Sequence, residues 1–274
     1  MTRSLGNLVA LGAEHAAADL SVFDEEFLLR CIATRTTALG LPSTEDYLSR
    51  LADWPTELAA LVDALHVGYS EFFRNPIGFA LLEQRVLPAL LDNSRGLTQA
   101  ELRLWSAGCA TGEEPYSLAI LLNDLSGTRQ HPNPWRLFAT DRSDANLAHA
   151  SAGQYHVAAL QNVRLKHLAR YFSQVGEFYT VRPNIRSSVS FSNYDLLDPL
   201  TTCPPASIFG DFDLVLCCNL LLYYRPIRQR LLEKLTRSLA PGGYLITGES
   251  ERALMPKDGE LQAVTAATAV FQKR

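Results

Sequence analysis

Apolar and polar positions alternate in two different ways along the chain. Up to about residue 91, apolar residues recur at helical spacing behind capping residues. Asp24, Glu25 and Glu26 precede Phe27, Leu28 and Leu29, which opens one helix with acids in its first turn. Ser43, Thr44, Glu45 and Asp46 precede Tyr47 and Leu48, and Pro55 opens a third apolar period at the first helical position. A fourth helix is predicted from about 76 to 91, and the polar, turn-rich stretch 92–98 reads as a linker. Beyond it, short apolar runs at 102–107, 136–140, 189–191, 212–217, 244–247 and 269–272 alternate with helical stretches at 116–125, 144–150, 164–172 and 226–239. Strands separated by helices imply right-handed crossovers and a mostly parallel sheet with helices on both faces. The expected organisation is a helical domain over 1–91, a linker over 92–98 and an α/β domain over 99–274.

Composition narrows the class of partner. With 274 residues, 47% hydrophobic and 20% charged, the chain has the makeup of an ordinary globular protein. A net charge of −4 and a pI near 5.9 speak against nucleic acid as a partner. No apolar run approaches the roughly 20 residues a membrane helix needs, so no direct membrane insertion is expected. Glu14, His15 and Asp19 break the start of the chain, which makes a poor signal peptide. The five cysteines form no C-x-x-C pair, and the six histidines are scattered without metal-ligand spacing. Reduced thiols, no metal and a cytoplasmic location are therefore expected.

Parallel sheets bind ligands at the carboxyl ends of their strands. After the first strand comes a small-residue turn with Gly108 and Gly112, then a helix opened by Glu113, Glu114 and Pro115. Such a turn lets a ligand approach the backbone closely. Two acids at that helix start suit the helix dipole but repel a phosphate, and they favour a ligand with positive charge. S-adenosylmethionine, with a sulfonium and an ammonium and no phosphate, fits that description. The second strand ends in Asp141, placed to accept ribose hydroxyls, although for this residue taken alone the sequence favours an N-cap role for the next helix. Beyond the third strand, Asn193, Tyr194 and Asp195 offer an adenine-edge contact. The fourth ends in Cys217, Cys218 and Asn219, with Tyr223 and Tyr224 close behind as site or core aromatics. Pro241, Gly242 and Gly243 form a turn feeding the fifth.

Several motifs together give the chain a family likeness. They are S-E-F-F-R-N-P at 70–76, W-S-A-G-C-A-T-G-E-E-P-Y-S at 105–117, A-T-D at 139–141, A-G-Q-Y at 152–155, R-Y-F at 170–172, F-D-L-V-L-C-C-N at 212–219 and L-A-P-G-G-Y-L-I-T-G-E-S-E at 239–251. With these the chain resembles the CheR-type chemotaxis methyltransferases, which methylate glutamates on bacterial chemoreceptors. The resemblance implies a Rossmann-like class I S-adenosylmethionine-dependent methyltransferase domain. It would have a mostly parallel sheet, a C-terminal antiparallel hairpin and a small β-subdomain, preceded by a small all-helical domain that meets the receptor. It also implies roles for particular residues. Ser70 and Arg74 would contact the cofactor from a closing loop, and Gly108 would lie in the cofactor turn. Glu114 would face the methionyl portion, Asp141 the ribose, and Asp195 with Leu196 the adenine side. Cys218 and Asn219 would follow the fourth strand, while Arg74 and Tyr223 would stand nearest the transferred methyl. The chain departs from the family at Gly68, where relatives carry Asn, at Ser70 for Thr, at Cys218 for Arg, at Asp195 for Asn and at Glu249 for His.

The implied partner is the cytoplasmic domain of a methyl-accepting chemotaxis receptor, which would bring the protein to membrane receptor arrays. The helix at 26–37, with Arg30 and Arg35, would dock on an acidic receptor helix. A short β-subdomain at 171–181 implies recognition that does not depend on a receptor tethering pentapeptide. The implied reaction needs no base, because a glutamate with pKa about 4.3 is roughly 99.8% carboxylate at pH 7. Two other readings stand beside it: a catalytically weak module that binds S-adenosylmethionine or S-adenosylhomocysteine within a signalling complex, and a methyltransferase for a small molecule.

Overall fold

A computed structural model describes residues 3–16, 18–66, 68–92, 101–128, 134–207, 210–255 and 259–274. The chain folds as two compact units, one of Met1–Val67 with Leu221–Gln229, the other of Gly68–Leu220 with Arg230–Arg274. The division falls between Val67 and Gly68. The stretch 92–98 lies outside the described residues except for Asp92. Helices from 76 to 92 belong to the sheet unit because Phe79, Leu82, Val86, Leu87 and Leu90 share one core with the strands.

In the helical unit, α1 (Arg3–His15), α2 (Glu25–Ala38), α3 (Thr44–Arg50) and α4 (Pro55–Ala64) surround a core of Leu5, Leu8, Leu20, Phe27, Ile32, Tyr47, Leu58 and Leu61. The predicted caps are in place. Asp24 accepts from the Phe27 amide at 3.1 Å, Ser43 from the Asp46 amide at 3.1 Å, and Pro55 starts α4. Sequence reading leaves α1 unassigned, since Glu14 and His15 interrupt its apolar run, yet Leu5 and Leu8 are buried. Glu57 is 4% exposed and ties three of these helices together. It accepts from Arg35 at 2.8 and 2.5 Å and from the Tyr47 hydroxyl at 2.8 Å. The Arg35 guanidinium holds the Glu57 carboxyl below the usual range.

The sheet unit opens with α5 (Pro76–Leu81), which runs through a π-helical turn at Leu82–Val86 into α6 (Leu87–Asp92). Then come β1 (Leu102–Ala107), α7 (Glu113–Ser126), β2 (Trp135–Asp141), α8 (Asp144–Ala152), β3 (Gln154–His156), α9 (Leu165–Tyr171), β4 (Phe172–Val175), β5 (Phe178–Val181), α10 (Pro183–Arg186) and β6 (Val189–Asn193). The chain ends with β7 (Phe212–Cys217), α11 (Arg228–Ser238), β8 (Leu239–Thr247), β9 (Leu261–Ala263) and β10 (Val270–Lys273). The seven-stranded sheet has the order β6-β2-β1-β7-β8-β10-β9. Five strands are parallel, while β10 runs antiparallel to β8 and β9 antiparallel to β10, the predicted terminal hairpin. The strands β3, β5 and β4 form the separate small sheet.

One predicted turn is part of a strand. Pro241, Gly242 and Gly243 fall inside β8, which pairs with β7 from Leu239 and shifts register between Phe212 and Leu214. A Cβ on Gly243 would lie 2.8 Å from the Phe212 carbonyl oxygen, so glycine is what lets the bulge form. The chain leaves β1 for β2 and β6 on one side, then returns to β7 and β8 on the other. The crevice for a ligand therefore opens at the carboxyl ends of β1 and β7.

Candidate active site

The turn after β1 is built for close approach. Gly108 and Gly112 have φ of +70° and +96°, and Ala110 is left-handed at +47°. A Cβ on Gly112 would meet the Ala150 Cβ at 2.7 Å, so only glycine fits there. The turn is tied to the neighbouring strand through its amides. Gly108 and Cys109 donate to the Thr140 carbonyl at 2.8 and 2.9 Å, and Ala110 donates to Asp141 Oδ2 at 2.9 Å. Asp141 Oδ1 accepts from the Ser143 amide at 2.9 Å and from Asn146 Nδ2 at 3.2 Å. Ser143, not Asp141, caps α8, because its side chain accepts from the Asn146 amide. Asp141 instead joins the two strand ends, with three donors on its carboxylate.

Asn146 also accounts for one departure from the family pattern. A Cβ on Gly68 would lie 3.0 Å from the Asn146 side-chain oxygen and 3.3 Å from its nitrogen. The room that an asparagine at position 68 would use is taken here by Asn146, which reaches Asp141.

The two acids at the start of α7 are held differently. Glu113 is 5% exposed and accepts from the Thr111 hydroxyl at 2.7 and 3.0 Å and from the Ser70 hydroxyl. Glu114 keeps a partly exposed edge but is closely ringed by protein. It accepts from the Ser106 hydroxyl at 3.2 Å and from the Cys218 thiol. Burial pushes its carboxyl up to about 7, with the Glu251 charge adding to the rise and Arg74 opposing it. Burial likewise drives the Cys218 thiol well above its ordinary value.

The loop carrying Arg74 is anchored by its phenylalanines. Phe72 is fully buried, edge-on to Tyr155 and Phe172 at 4.9 and 5.5 Å. Phe73 stacks on His167 at 5.6 Å, and its amide donates to Ser117 Oγ at 3.0 Å. This fixes Phe73 at φ +52° and leaves Arg74 exposed, 5.1 Å from the Tyr69 ring. Asn219, just past β7, is left-handed at +58°. Among the described residues, Phe73, Ala110 and Asn219 are three of the four non-glycine residues with positive φ, the fourth being Asp211. Such strain gathers where surrounding structure over-determines a functional geometry.

A cavity of about 250 Å³ lies beside these groups, walled by Arg74, Asn75, Phe79, Glu114, Asn219 and Thr247 among others. Thr247 is 1% exposed, and its hydroxyl has no hydrogen-bond partner among the described residues. Further along the sheet edge, Asp195 Oδ1 accepts from the Leu197 amide at 2.8 Å, and the Leu196 carbonyl accepts from Lys234 at 2.8 Å. The sheet unit thus holds every predicted site residue except Tyr223. That residue lies in the helical unit, its ring 4.5 Å from Phe27 and its carbonyl accepting from the Asp24 amide at 2.7 Å. Sequence reasoning missed Asn146, Thr247 and Glu251 as site residues. The L-A-P-G-G-Y-L-I-T-G-E-S-E string at 239–251 spans Thr247 and Glu251 without marking either, and no motif covers Asn146.

The donor set is that of a cation site: two helix-start carboxylates, a third acid at the end of β2, and no lysine or arginine in the turn 108–112. An unpartnered hydroxyl at Thr247 adds a ready polar contact. A reversed parallel sheet closed by an antiparallel hairpin, with an acidic glycine-built cradle at the switch point, defines a Rossmann-like methyltransferase of the S-adenosylmethionine-binding kind. Residues 69–270 match the family described as CheR methyltransferase, SAM binding domain. The chain is 32% identical over 241 residues to the chemotaxis protein methyltransferase of Listeria monocytogenes, covering 88% of this chain and 86% of that protein. Over 245 residues it is 32% identical to the probable biofilm formation methyltransferase WspC of Pseudomonas aeruginosa, covering 88% of this chain and 55% of the relative. An uncharacterized 104.1 kDa protein of Rhodobacter capsulatus is 32% identical over 270 residues, with 98% of this chain covered but only 27% of that protein. The chain therefore spans about a quarter of one relative, about half of another and most of the third. It belongs to the CheR methyltransferase family and carries that family's S-adenosylmethionine-binding domain.

Proposed function

We propose that this protein transfers the methyl group of S-adenosylmethionine to the side-chain carboxylate of glutamates on a methyl-accepting chemotaxis receptor. The products are a glutamate methyl ester and S-adenosylhomocysteine. One observation carries the reading: Glu114 is an acid closely ringed by protein, with no cation bonded to it among the described residues, at the mouth of a phosphate-averse turn. When bound, S-adenosylmethionine supplies an electrophilic methyl to one carboxylate oxygen, and the electron pair of the broken bond stays on sulfur.

The chain's own residues then have simple tasks. Glu114 neutralises positive charge on the methionyl portion, Asp141 accepts from ribose, and Asp195 with Leu196 borders the adenine. Gly68, Ser70, Gly108, Cys218 and Asn219 shape the cradle. Arg74, exposed at the tip of its anchored loop, holds a carboxylate of the acceptor or of the methionyl group, and Tyr223 orients the acceptor by its hydroxyl. No residue needs to remove a proton, since the acceptor is already ionised. The acceleration comes from alignment and from excluding water around the carboxylate. The helical unit docks the receptor, and the short hairpin of β4 and β5 makes recognition independent of a tethering pentapeptide.

The decisive experiment incubates the protein with methyl-labelled S-adenosylmethionine and candidate receptor cytoplasmic domains. Alkali-labile label on receptor glutamates is the expected result. Tight cofactor binding with no label on any receptor would turn the reading to a regulatory module. The exchange of a cation for a thiol at Cys218 is the observation that favours that second reading.

A further inference from the structure

Glu251 is fully buried, and no step described above uses it. Its Oε2 accepts the Asn219 amide at 2.8 Å and the Gly248 amide at 2.7 Å. Those amides stand at the ends of β7 and β8, neighbouring parallel strands that border the crevice. An ionised oxygen shared by two amides binds them more strongly than a neutral acceptor would. The strand ends are drawn so close that a Cβ on Gly248 would lie 2.6 Å from Asn219 Nδ2 and 2.8 Å from its backbone nitrogen. Asn219 is the residue held left-handed there, a conformation that costs a non-glycine residue about 1 kcal/mol or more. Its side chain then reaches Ser250 Oγ at 3.2 Å. Cys218, one residue earlier, meets Glu114.

We propose that Glu251 is a positioning residue of the methyl-transfer site: it clamps the ends of β7 and β8, and so holds Asn219 and Cys218 in place against the pocket of Glu114. The proposal rests on the cofactor-site reading above. The same carboxylate has an electrostatic effect that a merely structural clamp would lack. The charged and titratable groups facing Glu114 are Arg74, Cys109, Cys217, Cys218 and Glu251, and those facing Glu251 are Glu114, Cys217 and Cys218. A cationic ligand favours ionised Glu114, so affinity for S-adenosylmethionine rises with pH through a midpoint near 7. Removing the Glu251 charge moves that midpoint down.

The test compares Glu251→Gln and Glu251→Ala by calorimetric titration with S-adenosylmethionine across that pH range, by receptor methylation kinetics, and by the amide spectrum. Glu251→Gln keeps an oxygen acceptor, so its rates stay within about threefold of wild type. Its binding midpoint falls below that of wild type. Glu251→Ala loses both hydrogen bonds, lowers kcat about tenfold with the receptor KM unchanged, and shifts the Asn219 amide signal. An unmoved midpoint in Glu251→Gln, or normal kcat with an unmoved Asn219 signal in Glu251→Ala, overturns the proposal alone. Should Glu251→Ala fail to fold, the Glu251→Gln midpoint still decides. Wild-type protein that binds no S-adenosylmethionine at any pH overturns the cofactor-site reading and this proposal together.

Discussion

Glu57 in the helical unit and Glu114 in the sheet unit are both acids drawn into protein, and the fold treats them in opposite ways. Glu57 meets a bidentate arginine and a tyrosine hydroxyl, and the cation beside it holds its carboxyl low. Glu114 meets a serine hydroxyl and a cysteine thiol, and burial pushes its carboxyl up to about 7. The first is neutralised within the fold and serves stability. The second costs stability when ionised, and the proposed site gives it a cation from the ligand. Backbone strain divides the same way. Among the described residues every non-glycine with positive φ lies in the sheet unit, and three of the four flank Glu114, the β1 turn and the end of β7. Burial alone does not separate the two acids; the presence or absence of a bonded cation does.

The largest effect that can break this contrast belongs to Arg74. It is exposed, so Arg74→Ala should leave the fold intact while methyl transfer falls roughly a hundredfold or more. Alkali-labile label accumulating on the receptor at a near-normal rate would remove Arg74 from the site. Next come the two acids themselves. Glu57→Ala strands Arg35 and should lower stability by about 3 kcal/mol in urea titrations, with cofactor affinity unchanged. Glu114→Gln should do the reverse, holding or raising Tm and weakening S-adenosylmethionine binding about tenfold. The pH dependence follows from the signs. The stabilisation from Glu57 is present above its unfolded pKa and is lost as pH falls through its lower folded value. If Glu57→Ala unfolds at the same pH as wild type, the ion pair is not what resists acid.

Most of the sheet was legible because a parallel strand buried on both faces reads as a continuous apolar run. The strands 102–107 and 212–217 are found at their predicted limits. The bulged start of β8 was not legible, since Pro241 and the following glycines read equally as a turn. The break between the units was misplaced for a related reason. A linker shows in sequence as polar residues, but what assigns 76–91 to the sheet unit is tertiary packing of Phe79, Leu82 and Leu87 on the strand core. At the site, glycines and strand-end acids showed in the sequence because the turn and the sheet periodicity fix their places. Asn146, Thr247 and Glu251 did not. Each matters through a partner, or the lack of one, that only the folded chain supplies.

Asp141 stands between the two extremes, bonded to protein yet open to ligand. Its carboxylate already takes the Ala110, Ser143 and Asn146 donors, so Asp141→Ala removes the proposed ribose acceptor and loosens the turn together. Cofactor affinity should fall by about 1–3 kcal/mol in calorimetry, and Asp141→Asn should lose less because it keeps one acceptor oxygen. Unchanged affinity in Asp141→Ala would make the residue a strut between strands and nothing more.

The smallest effect concerns the arginines that the family likeness assigns to receptor docking. Arg35 is committed to Glu57, so its charge belongs to the fold of α2, α3 and α4. Among the described residues Arg30 pairs only with Glu26, at 3.2 Å, and both side chains are largely exposed. An exposed i,i+4 pair contributes about 0.3–0.5 kcal/mol, so Arg30→Ala should leave Tm almost unmoved. If α2 meets an acidic receptor surface, the same variant raises the receptor KM about twofold at low salt, with kcat unchanged, and the difference fades as salt screens the surface charge. A KM that does not move at any salt concentration would take docking away from the charges of α2. A large fall in Tm would instead show that the helical unit, too, contains a charge its fold depends on beyond the Arg35–Glu57 pair.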